Sequence, residues 1–494
     1  MNKRSVINLL GKIVLILAAA LLLPALVSLI YGEGRVALVF LLTAVGSAVL
    51  GLASVLPTGG IKMGEKHIFA REGFMIVGLA WVVLTLIGAL PFVITGELPS
   101  YIDAIFETAS GFSTTGATAI ADVEILSHGI QFWRSLTHWM GGMGVLTLLM
   151  ALAPTDSDSG RAMHILRAEM PGPVVGKLVP RIRTTAIVLY AMYIFLTLLE
   201  TILLCFGGMT FYEAIIHAMS TAGTGGFGIY NPSIGGFNPF IQWVIIVFML
   251  LFSLNFTLYY LIAIGKLKEA LSSRELWLFF GIYLIGTGII TFNIRGMYGS
   301  FGEAVRTAAF ESAAFASTTG FGIANPNLWP TLSKVILIIF MLIGGCAGST
   351  AGGLKLSRVM LMCKYAKKNL KETFRPRSVN VVRQEGRRVD NETVHGAVAY
   401  LVIYVLILSG TVFLISIFES FDFERLFTSA ISCLNNIGPV FSSAVAEPGF
   451  VDFSPYSKIV LAIAMLLGRL ELYPVLFIFT PSAWTDKNRV RARR

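Results

Sequence analysis

Four glycines carry the most chemistry in this sequence, and they do so through backbone rather than side chain. Gly116, Gly226, Gly320 and Gly438 sit in FETASGFSTTGATA (106–119), IHAMSTAGTGGFGI (216–229), FESAAFASTTGFGI (310–323) and TSAISCLNNIGPVF (428–441). The stretches align without gaps on those glycines. The central triplets are Thr114, Thr115, Gly116; Thr224, Gly225, Gly226; Thr318, Thr319, Gly320; and Asn436, Ile437, Gly438. Repetition in register outranks any single motif. The apolar, Ala/Ser-rich residues before each glycine predict a half-helix, and the glycine predicts an extended loop. Such a loop leaves carbonyls unpaired, and four loops around one axis would aim those carbonyls at a cation in place of its hydration shell. Glycine suits the position because, lacking Cβ, it accepts backbone geometries that other residues resist.

Irregular backbone survives at membrane depth only where it lines water or is buried in protein, so the rest of the chain must supply a membrane scaffold. Its composition does: of 494 residues, 55% are hydrophobic and only 13% charged, with a mean hydropathy of +0.76. That is too apolar for the surface of a soluble protein. Runs long enough to span a bilayer include 14–30, 74–94, 187–206, 241–264, 398–417 and 459–480. The first lacks a small-residue cleavage site and reads as a retained span rather than a signal peptide. About ten full spans are expected. The longest polar stretch, 355–388, is rich in Lys and Arg and reads as a cytoplasmic loop. Every second connection is basic: Lys62, Lys66 and Arg71; Arg161 to Arg183; Lys266, Lys268 and Arg274; and the tail Lys487 to Arg494. Lys and Arg collect on the cytoplasmic side, which places both termini there. The net charge of +10 is then a topology signal, and no aromatic-interleaved basic patch suggests a nucleic-acid partner. Cys205, Cys346, Cys363 and Cys433 are scattered, with neither a CxxC pair nor a disulfide framework.

The expected fold is an all-α integral membrane protein. Two leading transmembrane helices (1–68) precede four pseudo-symmetric repeats of helix, half-helix, glycine loop and helix around one pore, at 69–160, 161–270, 271–390 and 391–494. On these glycine loops the chain resembles the Trk/Ktr/HKT superfamily of potassium transporters, over essentially its whole length. The leading helix pair is similar to the TrkH-like ion-conducting subunits rather than to the shorter Ktr subunits. The resemblance implies K⁺ as the transported ion, because the family associates filter glycine with K⁺ and serine with Na⁺, and all four positions here are Gly. It also implies an inner-membrane location, a homodimer, and control by a cytoplasmic, TrkA-like nucleotide-binding regulatory subunit. No cofactor is expected in this chain. The fourth loop, with Asn435, Asn436 and Pro439, departs most from the TVGYG of potassium channels, so fewer well-formed ion sites are expected.

Below the third loop the sequence breaks its own helix. Gly344, Gly345, Gly348, Gly352 and Gly353 fall within ten residues, interleaved with Cys346, Ala347, Ser349, Thr350 and Ala351. Each Gly costs about 1 kcal/mol against Ala in a helix interior. An intramembrane loop is expected, with a close helix contact of the small-residue type as the alternative. The resemblance implies a gate there. Arg469 lies midway along 459–480, 31 residues after Gly438, and matches the loop in depth. It is expected to face the pore and hydrogen-bond the loop, where the family also carries an arginine. The alternatives are snorkelling or a pair with Glu471. Asn255 sits at similar depth in the second repeat. Among the outer acids Asp103, Glu107, Glu213, Glu303 and Glu311, the pair Glu107 and Glu311 lies nine residues before the filter glycines. These two are expected to hold the filter from behind by hydrogen bonds; His217 and Ser429 occupy the same place in the other repeats.

Other patterns fail on context. Gly223, Gly225 and Gly228 spell GxGxxG but lack a βαβ unit. Gly348 to Lys355 lacks the Lys-Ser/Thr ending of a phosphate loop. Asp156 and Asp158 form a lone DxD, the only handle for a reading as a membrane enzyme, with no other clustered catalytic groups beside it. The nearer rival is a Na⁺-selective or non-selective cation transporter of the same architecture.

Overall fold

The computed structural model describes residues 3–58, 70–144, 182–376, 380–384, 387–442 and 449–480. These are helical apart from connections and one two-residue ladder, Arg383–Gln384 against Arg387–Arg388. A leading helical pair, Lys3–Ala20 continued by Leu22–Ile30 and then Gly34–Val55, packs on itself and against the first repeat. Each repeat follows with an outer helix, a half-helix and an inner helix. The outer helices are Ala70–Gly88 (extended by Leu90–Thr95), Ile182–Phe206, Arg274–Ile294 and Asn391–Phe418. The half-helices are Tyr101–Ser113, Phe211–Gly223, Phe301–Ala316 and Phe423–Asn435. The inner helices are His128–Met143, Pro239–Phe252, Thr331–Ile343 and Pro455–Arg469.

Local sequence explains where these elements start. Ser100, Thr210 and Ser300 cap the first three half-helices with hydrogen bonds from the third backbone amide, and Thr210 closes a capping box with Glu213. Ser127, Asn238 and Ser454 do the same for inner helices, two of which place Pro at the first turn. Half-helix faces bury small and aromatic side chains, such as Phe106, Ala109 and Phe112 in the first and Phe310, Ala313 and Phe315 in the third.

The expected spans are not all unbroken helices. Among the described residues six helices are long and apolar enough to cross a membrane, or seven if one bent pair counts as a span. Every inner helix stops partway. The first ends at Gly144 with φ +75°. The second turns by 93° between Phe252 and Phe256, so 241–264 is not one continuous span. The third ends at Gly344, and the fourth at Leu470 before Glu471 and Leu472, both with positive φ. Hydropathy runs through these breaks because the residues stay apolar; it reports burial, not helical continuity. The polar stretch 355–388 is also not wholly loop: it contains the helix Leu356–Phe374 and the short ladder.

A candidate ion path through four glycine loops

The four glycine loops share one backbone conformation. Two residues before each filter glycine, Thr114, Thr224, Thr318 and Asn436 all adopt the left-handed region, with φ between 55° and 58°. Each follows the end of its half-helix: its amide donates three residues back, to Gly111, Thr221, Phe315 and Cys433 carbonyls. The next amide donates five residues back, Thr115 to Ser110, Gly225 to Ser220, Thr319 to Ala314 and Ile437 to Ser432, at 2.8 to 3.0 Å. This is a Schellman-type ending. Asn tolerates the left-handed region better than most residues, which explains how the divergent fourth loop keeps the shape.

The filter glycines follow with φ of +81°, +80°, +78° and +102°. Their surroundings close into a ring. A Cβ on Gly116 would overlap the Gly225 carbonyl oxygen, one on Gly226 that of Thr319, and one on Gly320 that of Ile437. On Gly438 it would lie 2.8 Å from the Thr115 oxygen. Each loop thus sets its glycine against the carbonyl of the following loop, and the fourth returns to the first. Beside the ring a recess of about 620 Å³ is lined by Gly116, Gly320, Gly438, Thr118 and Phe441 among others.

Glu107 and Glu311 stand behind their loops. Glu107 accepts from the Ala119 amide (3.0 Å), the Thr118 hydroxyl (3.1 Å) and Arg134 Nε (2.8 Å). Glu311 accepts from the Ile323 and Ala324 amides at 2.9 and 3.1 Å. In the fourth repeat Thr428, not Ser429, accepts from the equivalent amide, Phe441, at 3.0 Å. Further out, ion pairs join successive repeats: Lys334 to Glu424 (3.1 Å) and Lys458 to Asp103 (2.7 Å). In the outer connection the Asn231 side-chain amide (2.9 Å) and the Glu124 backbone amide (3.0 Å) hold the Asp122 carboxyl below its ordinary range.

The segment 344–353 lies directly under the filter. Gly352 N–H donates to Thr318 Oγ1 at 2.7 Å, so gate candidate and filter candidate touch. The segment is held on every side: Cys346 N–H donates to Ser253 O, Phe256 N–H to Gly348 O, Thr350 Oγ1 to Phe252 O, and Ala347 N–H to Glu275 Oε1. Gly344 and Gly353 have positive φ and nearly touch, leaving no space for a side chain on either. Gly345 packs against Ala351 and Ser349. Asn255 caps the helix Phe256–Ala263 and lies beside Gly348.

Arg469 is not midway along a continuous span but is the last residue of the fourth inner helix. Its guanidinium donates to the Thr350, Gly141 and Gly142 carbonyls, each at 2.6 Å. Gly141 and Gly142 belong to the last turn of the first inner helix, where carbonyls lack intrahelical partners and a cation is favoured. Arg469 thus ties two repeats to the glycine segment. Glu471 pairs with Arg358 instead, whose guanidinium also lies 4.2 Å from the Tyr400 ring centroid. A small cavity of about 50 Å³ is lined by Gly141, Gly348, Ser349, Gly352, Lys355 and Arg469 among others. Asp156 and Asp158, and most of the basic connections at 59–69, 145–181 and 481–494, lie outside the described residues. The breaks in inner helices one, two and four were the features missed from sequence, although Gly141, Gly142 and Gly144, the cap Asn255, and Pro474 signal them.

Comparison with known proteins fits this geometry. Residues 52–282 and 296–487 match the family model described as TrkH, cation transport protein. The chain is 35% identical to the Trk system potassium uptake protein TrkH of Salmonella typhimurium, over 98% of this chain and all of that one. It is 32% identical to the Escherichia coli Trk system potassium uptake protein TrkG, over 97% and 98%. The crystal structure of the potassium transporter TrkH from Vibrio parahaemolyticus superposes with a TM-score of 0.86 at 31% identity, covering 98% of this chain and all of that one. The chain belongs to the TrkH family of cation transport proteins, a family of multi-pass membrane transporters and not of enzymes.

Proposed function

We propose that this chain takes up K⁺ across the cytoplasmic membrane through a filter formed by Thr114 to Gly116, Thr224 to Gly226, Thr318 to Gly320 and Asn436 to Gly438. The observation that carries this reading is the closed ring in which each filter glycine meets the preceding-residue carbonyl of the next loop. Four inward carbonyls replace water around a cation without using a charged side chain. The potassium uptake named for the relatives agrees with it. On this reading the segment Gly344, Gly345, Gly348, Ser349, Thr350, Gly352 and Gly353 is the gate, and Arg469 latches it. The repeats divide at 69–160, 161–270, 271–390 and 391–494 after a leading pair at 1–68, with both termini cytoplasmic. A homodimer works with a cytoplasmic, TrkA-like nucleotide-binding subunit, for which the basic helix Leu356–Phe374 offers a docking face.

The test is cation flux into liposomes holding the purified chain, comparing K⁺, Rb⁺, Na⁺ and Li⁺, alone and with Arg469→Ala. Flux favouring K⁺ and Rb⁺ supports the reading. Equal flux of all four ions, or preference for Na⁺, refutes the selectivity it assigns.

A further inference from the structure

The four repeats are not equivalent behind the filter. Counted from the caps Ser127, Asn238, Pro330 and Ser454, the seventh inner-helix residue is Arg134, Ile245, Leu337 or Leu461, and the eleventh is His138, Met249, Met341 or Met465. All eight are buried. The register is checked by the fourteenth residue: a Cβ on Gly141 or Gly468 would overlap the carbonyl four residues before the filter glycine of its own repeat, Phe112 or Leu434. Three repeats therefore fill this layer with apolar side chains, and only the first places an arginine and a histidine there.

Both polar groups reach the second filter loop. Arg134, 2% exposed, donates from Nε to Glu107 and from Nη1 to the Gly228 carbonyl at 3.2 Å. Its guanidinium lies 4.1 Å from the Phe227 ring centroid. His138 stacks on the same ring at 4.1 Å, with Nδ1 3.0 Å from Ser220 Oγ. A Cβ on Gly225 would overlap the His138 ring, which accounts for glycine where loops one and three have threonine. Among the described residues no side chain of the second half-helix accepts from the amide three residues after its filter glycine; Glu213 instead accepts from the Tyr230 hydroxyl just beyond the loop. Loops one and three have Glu107 and Glu311, and loop four has Thr428. The second repeat has His217, whose Nε2 finds no partner among the described residues.

We propose that Arg134 is the positioning residue of the second filter loop, supplied by the neighbouring repeat in place of the missing carboxylate, and that it thereby sets ion selectivity. Glu107 orients it and neutralises it. The inference rests on the four-loop filter reading. A buried ion pair gives little net stability over a well-packed apolar group, and three repeats manage with Ile or Leu, so packing alone does not require it.

The experiment uses the full chain in liposomes. Arg134→Leu combined with Glu107→Gln removes the pair without stranding a charge, and Glu107→Gln keeps an acceptor for the Ala119 amide. The expected result is a protein with wild-type melting temperature whose Rb⁺-over-Na⁺ flux ratio falls by about tenfold, as loss of one ring carbonyl would produce. Arg134→Lys, which keeps the charge but not the forked reach and ring stacking, should fall between; it is also read alone if the double variant does not fold. Wild-type selectivity in whichever folded variant is read overturns the proposal. Gly320→Ser is measured alongside. If it too leaves selectivity intact, the filter reading itself fails; if it abolishes selectivity while the Arg134 variants keep theirs, only the positioning role fails.

Discussion

Gly320→Ser probes the ring most directly. The new Cβ would overlap the Ile437 carbonyl oxygen and stand close to Pro439 Cδ, at 2.8 Å, so neither neighbour offers an easy retreat. The backbone at φ +78° adds strain of about 1–3 kcal/mol for a residue with a side chain. Relief requires the Ile437 carbonyl to rotate from its place in the ring. A cation then loses one of its oxygen ligands, a deficit comparable to a charge-assisted hydrogen bond at roughly 1.5–3 kcal/mol, or about 10- to 100-fold in relative affinity. Competition of Na⁺ against Rb⁺ uptake in liposomes reads this ratio. Gly438→Ser is the internal comparison, since its Cβ would sit 2.8 Å from the Thr115 oxygen, a smaller overlap than at the other three glycines. Gly438→Ser should retain more selectivity than Gly320→Ser, Gly226→Ser or Gly116→Ser. Equal selectivity in all four folded variants and wild type would refute a carbonyl ring at these positions.

Other expected outcomes follow from the gate and the loop clamps. Arg469→Ala should raise flux several-fold in liposomes lacking any regulatory partner, because the Thr350, Gly141 and Gly142 carbonyls lose a shared donor; unchanged flux in folded protein would sink the latch. Gly352→Ala should also leak, since its Cβ would overlap the Asn435 carbonyl and push the segment off the filter; a variant as tight as wild type would argue against contact there. Thr428→Val leaves the buried Phe441 amide and carbonyl without their shared hydroxyl and should cost about 1–3 kcal/mol, read as a lower melting temperature. Asp122, whose folded pKa lies below its unfolded value, contributes fully at neutral pH and loses that contribution as pH falls through the folded value. Asp122→Asn should therefore lower the neutral plateau of the melting profile slightly and flatten its acid limb, the two proteins converging below the folded pKa.

The repeats, the half-helices and the place of Arg469 beside the glycine segment were legible because each leaves a local mark: a glycine at fixed register, a run of small residues, a charge in an apolar stretch. Glu107 and Glu311 could be assigned to the filter's rear because nine residues place them inside the half-helix rather than at its first turn. The breaks in the inner helices were less visible. Phe252, Ser253 and Leu254 read as ordinary span, and only the three-dimensional fit of Asn255 and Gly348 makes the 93° turn necessary. Arg134 and His138 left a mark too, as polar residues in an apolar helix, but their meaning needs the second loop, about 90 residues on, to be folded beside them.

The ends of the helices explain why a positive side chain belongs beneath the filter. Half-helices end at the filter loops and inner helices end beside the 344–353 segment, so each repeat directs two C-termini toward the region between filter and segment. Each terminus carries roughly half a negative charge and unpaired carbonyls. Collectively they favour a dehydrated cation at the filter's lower mouth, and without restraint they would also trap it there. Arg469 takes up two of these carbonyls, Gly141 and Gly142, together with that of Thr350 in the glycine segment. A monovalent cation about 5 Å from its guanidinium, at an effective dielectric near 20, meets roughly 3 kcal/mol of repulsion. On the gate reading proposed above, that would hold a resting pore nearly closed, yet leave a barrier that a regulatory subunit could reverse by drawing the 344–353 segment away. The glycines then have a second use: a segment with five of them in ten residues can leave its hydrogen bonds to Arg469, Ser253 and Thr318 without dragging a packed helix along.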